Sequence, residues 1–153
     1  MKKNKRPRIL LADDFPELLE EAEKVINDHY EIVGLARDGG QALELCLTLN
    51  PDILLLDISM PILSGLQVAT RLMLLGCMAK IIFVTMQDDP DYVEAALSLG
   101  ASGYFLKNRI GNDLLLAIDV ALQGAWFASP CEGQGRKKFY QTAVKFSSAK
   151  LPI

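Results

Sequence analysis

Runs of apolar residues alternate along this chain with segments of helical periodicity. Four of the runs are nearly continuous in Ile, Leu, Val and Phe, which is typical of strands buried on both faces of a parallel sheet. A fifth run, Tyr30 to Ala36, alternates less cleanly but is followed by a turn-like Arg-Asp-Gly-Gly sequence. The predicted strands cover residues 9–12, 30–36, 52–57, 80–85 and 103–107.

Five segments rich in Leu and Ala at helical spacing follow these strands. Pro16 and Pro90 lie near the starts of two of them, and Gly76, Gly100 and Gly124 lie just past the ends of three, as expected of helix termini. The predicted helices cover residues 16–28, 41–50, 66–75, 90–99 and 113–123. Alternating strands and helices predict an α/β fold in which a doubly wound parallel sheet carries helices on both faces.

Composition limits the class of protein. The chain has 153 residues, half of them hydrophobic, which is enough for one domain with a real core. Residues 9–130 carry 6 basic and 18 acidic side chains, which argues against nucleic-acid binding by the domain itself. We expect no membrane span, because no apolar stretch is long enough, and no signal peptide, because Asp13 and Asp14 interrupt the first apolar run.

The three cysteines, Cys46, Cys77 and Cys131, are far apart in sequence and include no CxxC pair. This spacing argues against a disulfide framework and against a zinc site. A reducing cytoplasm is therefore the expected location.

Polar residues lie where four of the predicted strands end. Asp13 and Asp14 follow the first strand, Asp57 ends the third, and Thr85 and Lys107 end the fourth and fifth. Ligands of doubly wound folds gather outside the carboxyl ends of the strands, so these side chains predict one shared acidic site. Converging carboxylates repel each other unless a cation is bound, and Mg²⁺ is the usual hard divalent ion where phosphate is also present.

The same residues are suited to phosphoryl transfer, which demands mainly positioning and charge neutralisation. Asp57 is the candidate nucleophilic carboxylate. Lys107 would neutralise a phosphoryl group, and the hydroxyl of Thr85 would donate to one of its oxygens.

These residues belong to four motifs: Leu11-Ala12-Asp13-Asp14, Leu55-Leu56-Asp57-Ile58-Ser59-Met60-Pro61 with Gly65, Val84-Thr85, and Gly100 through Lys107. Together the motifs resemble the receiver domain of bacterial two-component response regulators, over residues 7–128. From Gly100 to Pro130 the chain most resembles receivers that precede a DNA-binding helix-turn-helix of the LuxR or NarL type. The resemblance implies a (βα)5 flavodoxin-like or CheY-like sheet of five strands in the order 2-1-3-4-5.

The resemblance also implies a role for each site residue. Asp57 would accept a phosphoryl group from a phosphohistidine on a sensor histidine kinase or a phosphotransfer protein. Asp14 would ligate Mg²⁺ directly, Asp13 would act mostly through water, and the backbone carbonyl of Ser59 would complete the protein ligands. Lys107 would pair with the phosphoryl group.

Thr85 and Tyr104 resemble the switch pair of the family, in which the hydroxyl moves toward the phosphoryl group and the aromatic ring turns inward. The change would alter the surface made by the fourth helix, fifth strand and fifth helix. The implied protein is a signalling switch that catalyses at most its own dephosphorylation, and not an enzyme. Receivers of this kind often form homodimers, and the sequence does not select a face.

Each residue also has an ordinary structural interpretation. Asp13 and Asp14 could cap the helix that follows, since acids complement the dipole at a helix N-terminus. Asp57 could be a turn residue at a strand end, and Lys107 a solvated surface lysine. Their joint placement at strand ends favours the functional interpretation.

Two other functions stay open at the level of sequence. An aspartyl-phosphate hydrolase would need the same groups, but such enzymes usually carry Asp-x-Asp-x-Thr after the first strand, where this chain has Asp13-Asp14-Phe15-Pro16-Glu17. The chain could instead be the receiver fragment of a LuxR-type transcriptional regulator. Residues 129–153 are predicted to be a basic C-terminal tail that is too short for a complete DNA-binding domain. The tail could be a flexible end, a docking peptide or what remains of a truncated or altered gene.

Overall fold

Six parallel strands form one sheet in the computed structural model, which describes residues 6–86 and 90–128. Along the sheet the strands lie in the order β2-β1-β3-β4-β5-β6. The predicted order 2-1-3-4-5 is therefore confirmed, and each predicted strand boundary lies within one residue of the observed one. The strands are β1 Arg8–Ala12, β2 Glu31–Ala36, β3 Ile53–Asp57, β4 Lys80–Thr85, β5 Gly103–Leu106 and β6 Phe127–Ala128.

The strand β6 is an addition to the expected five. It pairs in parallel with the outer side of β5, with Gly103 opposite Phe127 and Tyr104 opposite Ala128. Two residues are too few to show a strand period in the sequence, so this element could be found only from its pairing.

Within the described residues, five α-helices connect the strands, as the sequence pattern predicts, and one 3₁₀ turn is an addition to that prediction. Two of the helices have side-chain caps: Asp38 accepts a hydrogen bond from the N–H of Gln41, and Ser64 and Gln67 form a reciprocal capping box. The helices are α1 Pro16–Ile26, α2 Gly39–Leu49, α3 Gly65–Leu74, α4 Pro90–Ser98 and α5 Ile110–Leu122, and the 3₁₀ turn is Lys107–Arg109.

The glycines predicted to follow helices do so in the left-handed region that a side chain disfavours. At the end of α3, Gly76 has a φ of 74° and donates its N–H to the carbonyl of Met73 at 3.1 Å. The next N–H, that of Cys77, reaches the carbonyl of Leu72 at 3.0 Å, which completes a Schellman motif. Gly100 and Gly124 end α4 and α5 with the same pair of hydrogen bonds.

Two hydrophobic layers cover the two faces of the sheet, as a doubly wound fold requires. Successive strand residues point to opposite faces, so Leu54 and Leu56 of β3 pack beneath α2, α3 and α4. Leu55 packs on the other face with α1 and α5. All five residues of β3 are buried, which places this strand at the centre of the sheet.

No helix in residues 6–86 and 90–128 is long and apolar enough to cross a membrane.

Candidate functional site

The carboxyl ends of four neighbouring strands bring the predicted polar residues to one edge of the sheet. Asp13 follows β1, Asp57 ends β3, Thr85 ends β4, and Lys107 follows β5. All four side chains are buried. Charged groups are rarely buried unless they are paired, so this cluster calls for an explanation beyond packing.

Three carboxylates form the acidic part of the site. Asp13, Asp14 and Asp57 each offer an oxygen, and these oxygens all lie within 4.8 Å of one another. Asp13 Oδ1 accepts the N–H of Phe15 at 2.9 Å, and Asp57 Oδ1 accepts the N–H of Ser59 at 3.3 Å. These bonds hold the two buried carboxylates in place. The Oδ2 atom of each carboxylate lies near Lys107 instead.

Lys107 lies between the two buried carboxylates. Its Nζ atom is 2.9 Å from Asp13 Oδ2 and 3.2 Å from Asp57 Oδ2, distances of ion pairs, although neither Oδ2 accepts a hydrogen bond of good geometry. One ammonium cannot neutralise three carboxylates. The uncompensated negative charge and the buried oxygens fit a hard divalent cation such as Mg²⁺, which takes oxygen ligands.

The environment of Asp57 disfavours its ionised form. Burial raises the pKa of this carboxyl to about 7, repulsion from Asp13 adds to the rise, and Lys107 offsets only part of it. The predicted role of Asp57 as a nucleophile requires the ionised form. A cation bound to the site would favour that form.

An aromatic ring that no sequence motif predicted lies next to the lysine. The Nζ atom of Lys107 lies 5.2 Å from the centroid of the Phe15 ring, within the range of a cation–π interaction. Phe15 is 52% exposed, so this contact lies at the surface of the site. An aromatic residue directly after two strand-end acids was the only sequence signal for this contact.

Thr85 and Tyr104 lie on adjacent strands. The pairing of β4 with β5 sets Tyr104 opposite Phe83, two residues before Thr85. The ring of Tyr104 is fully buried and packs in the hydrophobic layer beneath α4, with Val93 and Ala96. The aromatic member of the predicted switch pair is thus in an inward position, while its role and that of Thr85 stay predictions.

The loop after β3 brings α3 close to the main chain of Asp57. The N–H of Gly65 donates to the carbonyl of Ile58 at 2.7 Å. A Cβ atom at Gly65 would lie 2.2 Å from the carbonyl oxygen of Asp57, so only glycine fits this approach. Ser59 lies within the loop, and the predicted part of its carbonyl in metal binding stays a prediction.

The same loop stores strain at Ile62. This β-branched residue has a φ of 73° and is 76% exposed. The cost of such a conformation is about 1–2 kcal/mol, so Ile62→Asn should raise the free energy of unfolding by about 1 kcal/mol because asparagine tolerates positive φ. Urea unfolding would measure the change. Ile62→Val keeps the β-branch and is the matched control, and equal stability of the two variants would contradict the assignment of strain.

Residues 9–119 match the model of the response regulator receiver domain, which is most of the chain. This chain belongs to the response regulator receiver family. The predicted resemblance is confirmed, and with it the expected sheet. The match also stands against the aspartyl-phosphate hydrolase alternative.

Two relatives of this chain are named as regulators. The chain is 38% identical over 125 residues to the transcriptional regulatory protein YvfU of Bacillus subtilis, and 36% identical over 118 residues to the nitrate/nitrite response regulator NarL of Escherichia coli. These matches cover 80% and 76% of the chain but only 62% and 55% of the two relatives, so the chain spans little more than half of their length.

Solved structures agree with the fold. The signal receiver domain of a NarL response regulator from Mycobacterium tuberculosis superimposes with a TM-score of 0.75 at 30% identity, over 78% of this chain and 98% of that domain. A LuxR-family response regulator from Aurantimonas gives a TM-score of 0.78 at 26% identity, over 95% of this chain and 99% of that one.

Proposed function

We propose that this receiver is a phosphoacceptor switch of a two-component phosphorelay and that Asp57 is the residue phosphorylated. The observation that carries the proposal is the burial of Asp57 beside a second carboxylate and Lys107 at the carboxyl edge of the sheet. Receivers of this kind take phosphoryl groups from histidine kinases, so the donor is a sensor histidine kinase or a phosphotransfer protein. The folded unit is proposed to span residues 7–128, and the tail 129–153 lies outside the described residues.

The proposed reaction is a direct transfer. A carboxylate oxygen of Asp57 attacks the phosphorus of a phosphohistidine, and the phosphorus–nitrogen bond breaks as the new acyl phosphate forms. Lys107, already within 3.2 Å of Asp57, pairs with a phosphoryl oxygen, and the hydroxyl of Thr85 donates to another. Asp13, Asp14, Asp57 and the carbonyl of Ser59 would hold Mg²⁺, which would supply the remaining positive charge.

The output is proposed to be transcriptional, because YvfU and another relative, DegU of Brevibacillus brevis, are named as transcriptional regulatory proteins. Phosphorylation would shift the positions of Thr85 and Tyr104 and so change the face made by α4, β5 and α5. That face would then bind a partner, a second copy of the chain or a DNA-binding portion. Hydrolysis of the acyl phosphate by the receiver itself would reset the switch in the cytoplasm.

Intact mass after exposure to acetyl phosphate, with and without Mg²⁺, tests the proposed function. One Mg²⁺-dependent phosphoryl adduct is expected, and reduction of the adduct with borohydride should map it to the peptide that contains Asp57. No adduct, or an adduct on another residue, would overturn the assignment.

Lys107→Ala is expected to leave phosphorylation possible but to abolish the structural response to it. The fold should persist, because Asp57, with its pKa near 7, can take up a proton when the ammonium is removed. The variant should still accept a phosphoryl group from acetyl phosphate. Hydrogen exchange in α4, β5 and α5 should no longer change on phosphorylation, since the contact that reads the phosphoryl group is lost.

The exposed Lys24 on α1 provides the matched control, and Lys24→Ala should behave as the wild type. A full exchange response in Lys107→Ala would remove Lys107 from the switch. Global unfolding of the variant would instead mark the lysine as structural.

A further inference from the structure

Two cysteines that are 31 positions apart in sequence are neighbours in space. Cys46 lies on α2 and is fully buried, and Cys77 follows α3 and is partly exposed. Their Sγ atoms are 3.8 Å apart, and both thiols are free. A disulfide needs an S–S distance of about 2.05 Å, so closure requires an approach of about 1.8 Å.

The main chain holds both cysteines in fixed positions. The carbonyl of Cys46 accepts the N–H of Asn50 in the last turn of α2. Cys77 is the last residue of the Schellman motif at Gly76, where its N–H is bonded to the carbonyl of Leu72. Rotation of the two side chains about χ1 is the movement available for closing the remaining gap.

We propose that Cys46 and Cys77 form a redox-active dithiol that is oxidised to an intramolecular disulfide by exchange with a small-molecule disulfide. In the first step the thiolate of Cys77 attacks one sulfur of the small disulfide, and the other sulfur leaves as a thiolate. In the second step the thiolate of Cys46 attacks Sγ of Cys77 and expels the second small thiolate. The two protein thiols lose two electrons and two protons, and the small disulfide becomes two thiols.

The surroundings of the two thiols set this order. Cys77 lies between Gly76, where a Cβ atom would meet nothing within 4 Å, and Met78, which is 90% exposed. An oxidant can therefore reach Cys77. Burial raises the pKa of the Cys46 thiol to about 12, and the proximity of Cys77 adds to the rise, so Cys46 is a poor first nucleophile and its attack is the slow step.

The pair lies at the opposite edge of the sheet from the acidic site. Cys77 comes three residues before β4 begins at Lys80, at the amino ends of the strands, whereas Asp57 is at the carboxyl ends. A disulfide here would fasten the end of α2 to the end of α3 without a contact to Asp57 or Lys107. Oxidation and phosphorylation are thus two separate modifications of one domain.

Incubation of the full chain with oxidised glutathione, followed by peptide mapping under non-reducing conditions, tests the proposal. The expected product joins the peptides of Cys46 and Cys77, has lost two hydrogens, and reverts with dithiothreitol. The melting temperature should rise by about 10 °C, because the disulfide closes a long loop of the unfolded chain. Cys131→Ser serves as the parent for all variants, so that the third cysteine cannot take part.

Two further variants separate the steps. In Cys46→Ala the reaction should stop at a glutathione mixed disulfide on Cys77, and in Cys77→Ser Cys46 should remain unmodified. Asp57→Asn should form the disulfide as the parent does, so a failed phosphorylation test would not affect this result. The proposal would be overturned if both thiols of the parent stayed reduced, or if glutathione stayed on Cys77. Alkylation of the parent after denaturation counts its free thiols, and this measurement does not require any variant to fold.

Discussion

Asp57→Asn is expected to remove the phosphoryl adduct completely and, at the same time, to stabilise the cation-free protein at neutral pH. The amide has no nucleophilic oxygen, so the acyl phosphate cannot form. It also resembles the protonated carboxyl, which is the form that burial and the nearby Asp13 favour in the folded state. Loss of function and gain of stability in one variant would be the signature of a site that is strained for its chemistry.

The sign of the pH dependence follows from the pKa of Asp57, which folding raises from 3.8 to about 7. Between these values the folded wild type binds the proton more tightly than the unfolded chain does. The contribution of Asp57 to the free energy of unfolding should therefore be highest below pH 4, fall as the pH rises toward 7, and stay low above it. After a discount for solvent screening, we expect the free energy of unfolding to differ by about 2 kcal/mol between the two ends of this pH range. Asp57→Asn should recover this amount at pH 8.

Urea unfolding at pH 5 and pH 8, in the presence of a chelator, would measure both effects. The exposed Asp28 supplies the matched control, because Asp28→Asn removes a carboxylate that is far from the cluster. Saturating Mg²⁺ should stabilise the wild type more than Asp57→Asn, since the variant has one carboxylate fewer to bind it. A variant that is less stable than the wild type at pH 8 would contradict the proposed electrostatic strain.

Gly65→Ala is expected to damage both the fold and the site. The added methyl group would lie 2.2 Å from the carbonyl oxygen of Asp57 and 2.9 Å from the Cα atom of Ile58, and neither backbone atom can give way. We expect a loss of about 3 kcal/mol in the free energy of unfolding. Displacement of the loop should also disturb the bond from Ser59 to Asp57 and slow phosphorylation about 100-fold.

Gly111→Ala in α5 is the matched control for this substitution. A Cβ atom there meets nothing within 4 Å, so the variant should be unchanged or more stable by up to about 1 kcal/mol, as alanine favours a helix. Thermal unfolding and the rate of adduct formation from acetyl phosphate would compare the two. If Gly65→Ala matched Gly111→Ala in both measurements, the close approach of α3 to Asp57 would be unimportant.

The strands and the acidic cluster were predictable because both depend on local signals. Continuous apolar runs fixed the strands, and parallel strands bring their carboxyl ends to one edge, so Asp13, Asp57 and Lys107 had to meet there. The starts of α2 and α3 were predicted slightly late, because glycine is a weak helix former. Gly39 and Gly65 stand at these starts for tertiary reasons: a Cβ atom would collide with the carbonyl oxygens of Leu63 and Asp57.

What the sequence could not predict depends on contacts between distant segments. The strand β6 is defined only by its pairing with β5, and the ring of Phe15 reaches Lys107 across the sheet edge. The spacing of the cysteines, which are far apart and include no CxxC pair, indicated neither a disulfide framework nor a zinc site. Packing of α2 against α3 is what brings Cys46 to Cys77.

The added strand and an irregularity in β2 have a consequence for solubility. Open edges of a sheet invite other chains to add strands, which is a common start of aggregation. At one edge β6 occupies the hydrogen-bonding groups of β5 at Gly103 and Tyr104. At the other, Val33 is an extra residue in β2, since Ile9 pairs with Ile32 and the next residue of β1 already pairs with Gly34. The resulting bulge interrupts the edge at β2, and the edge strand β6 is only the short Phe127–Ala128 within the described residues, so both borders offer a poor template for a foreign strand.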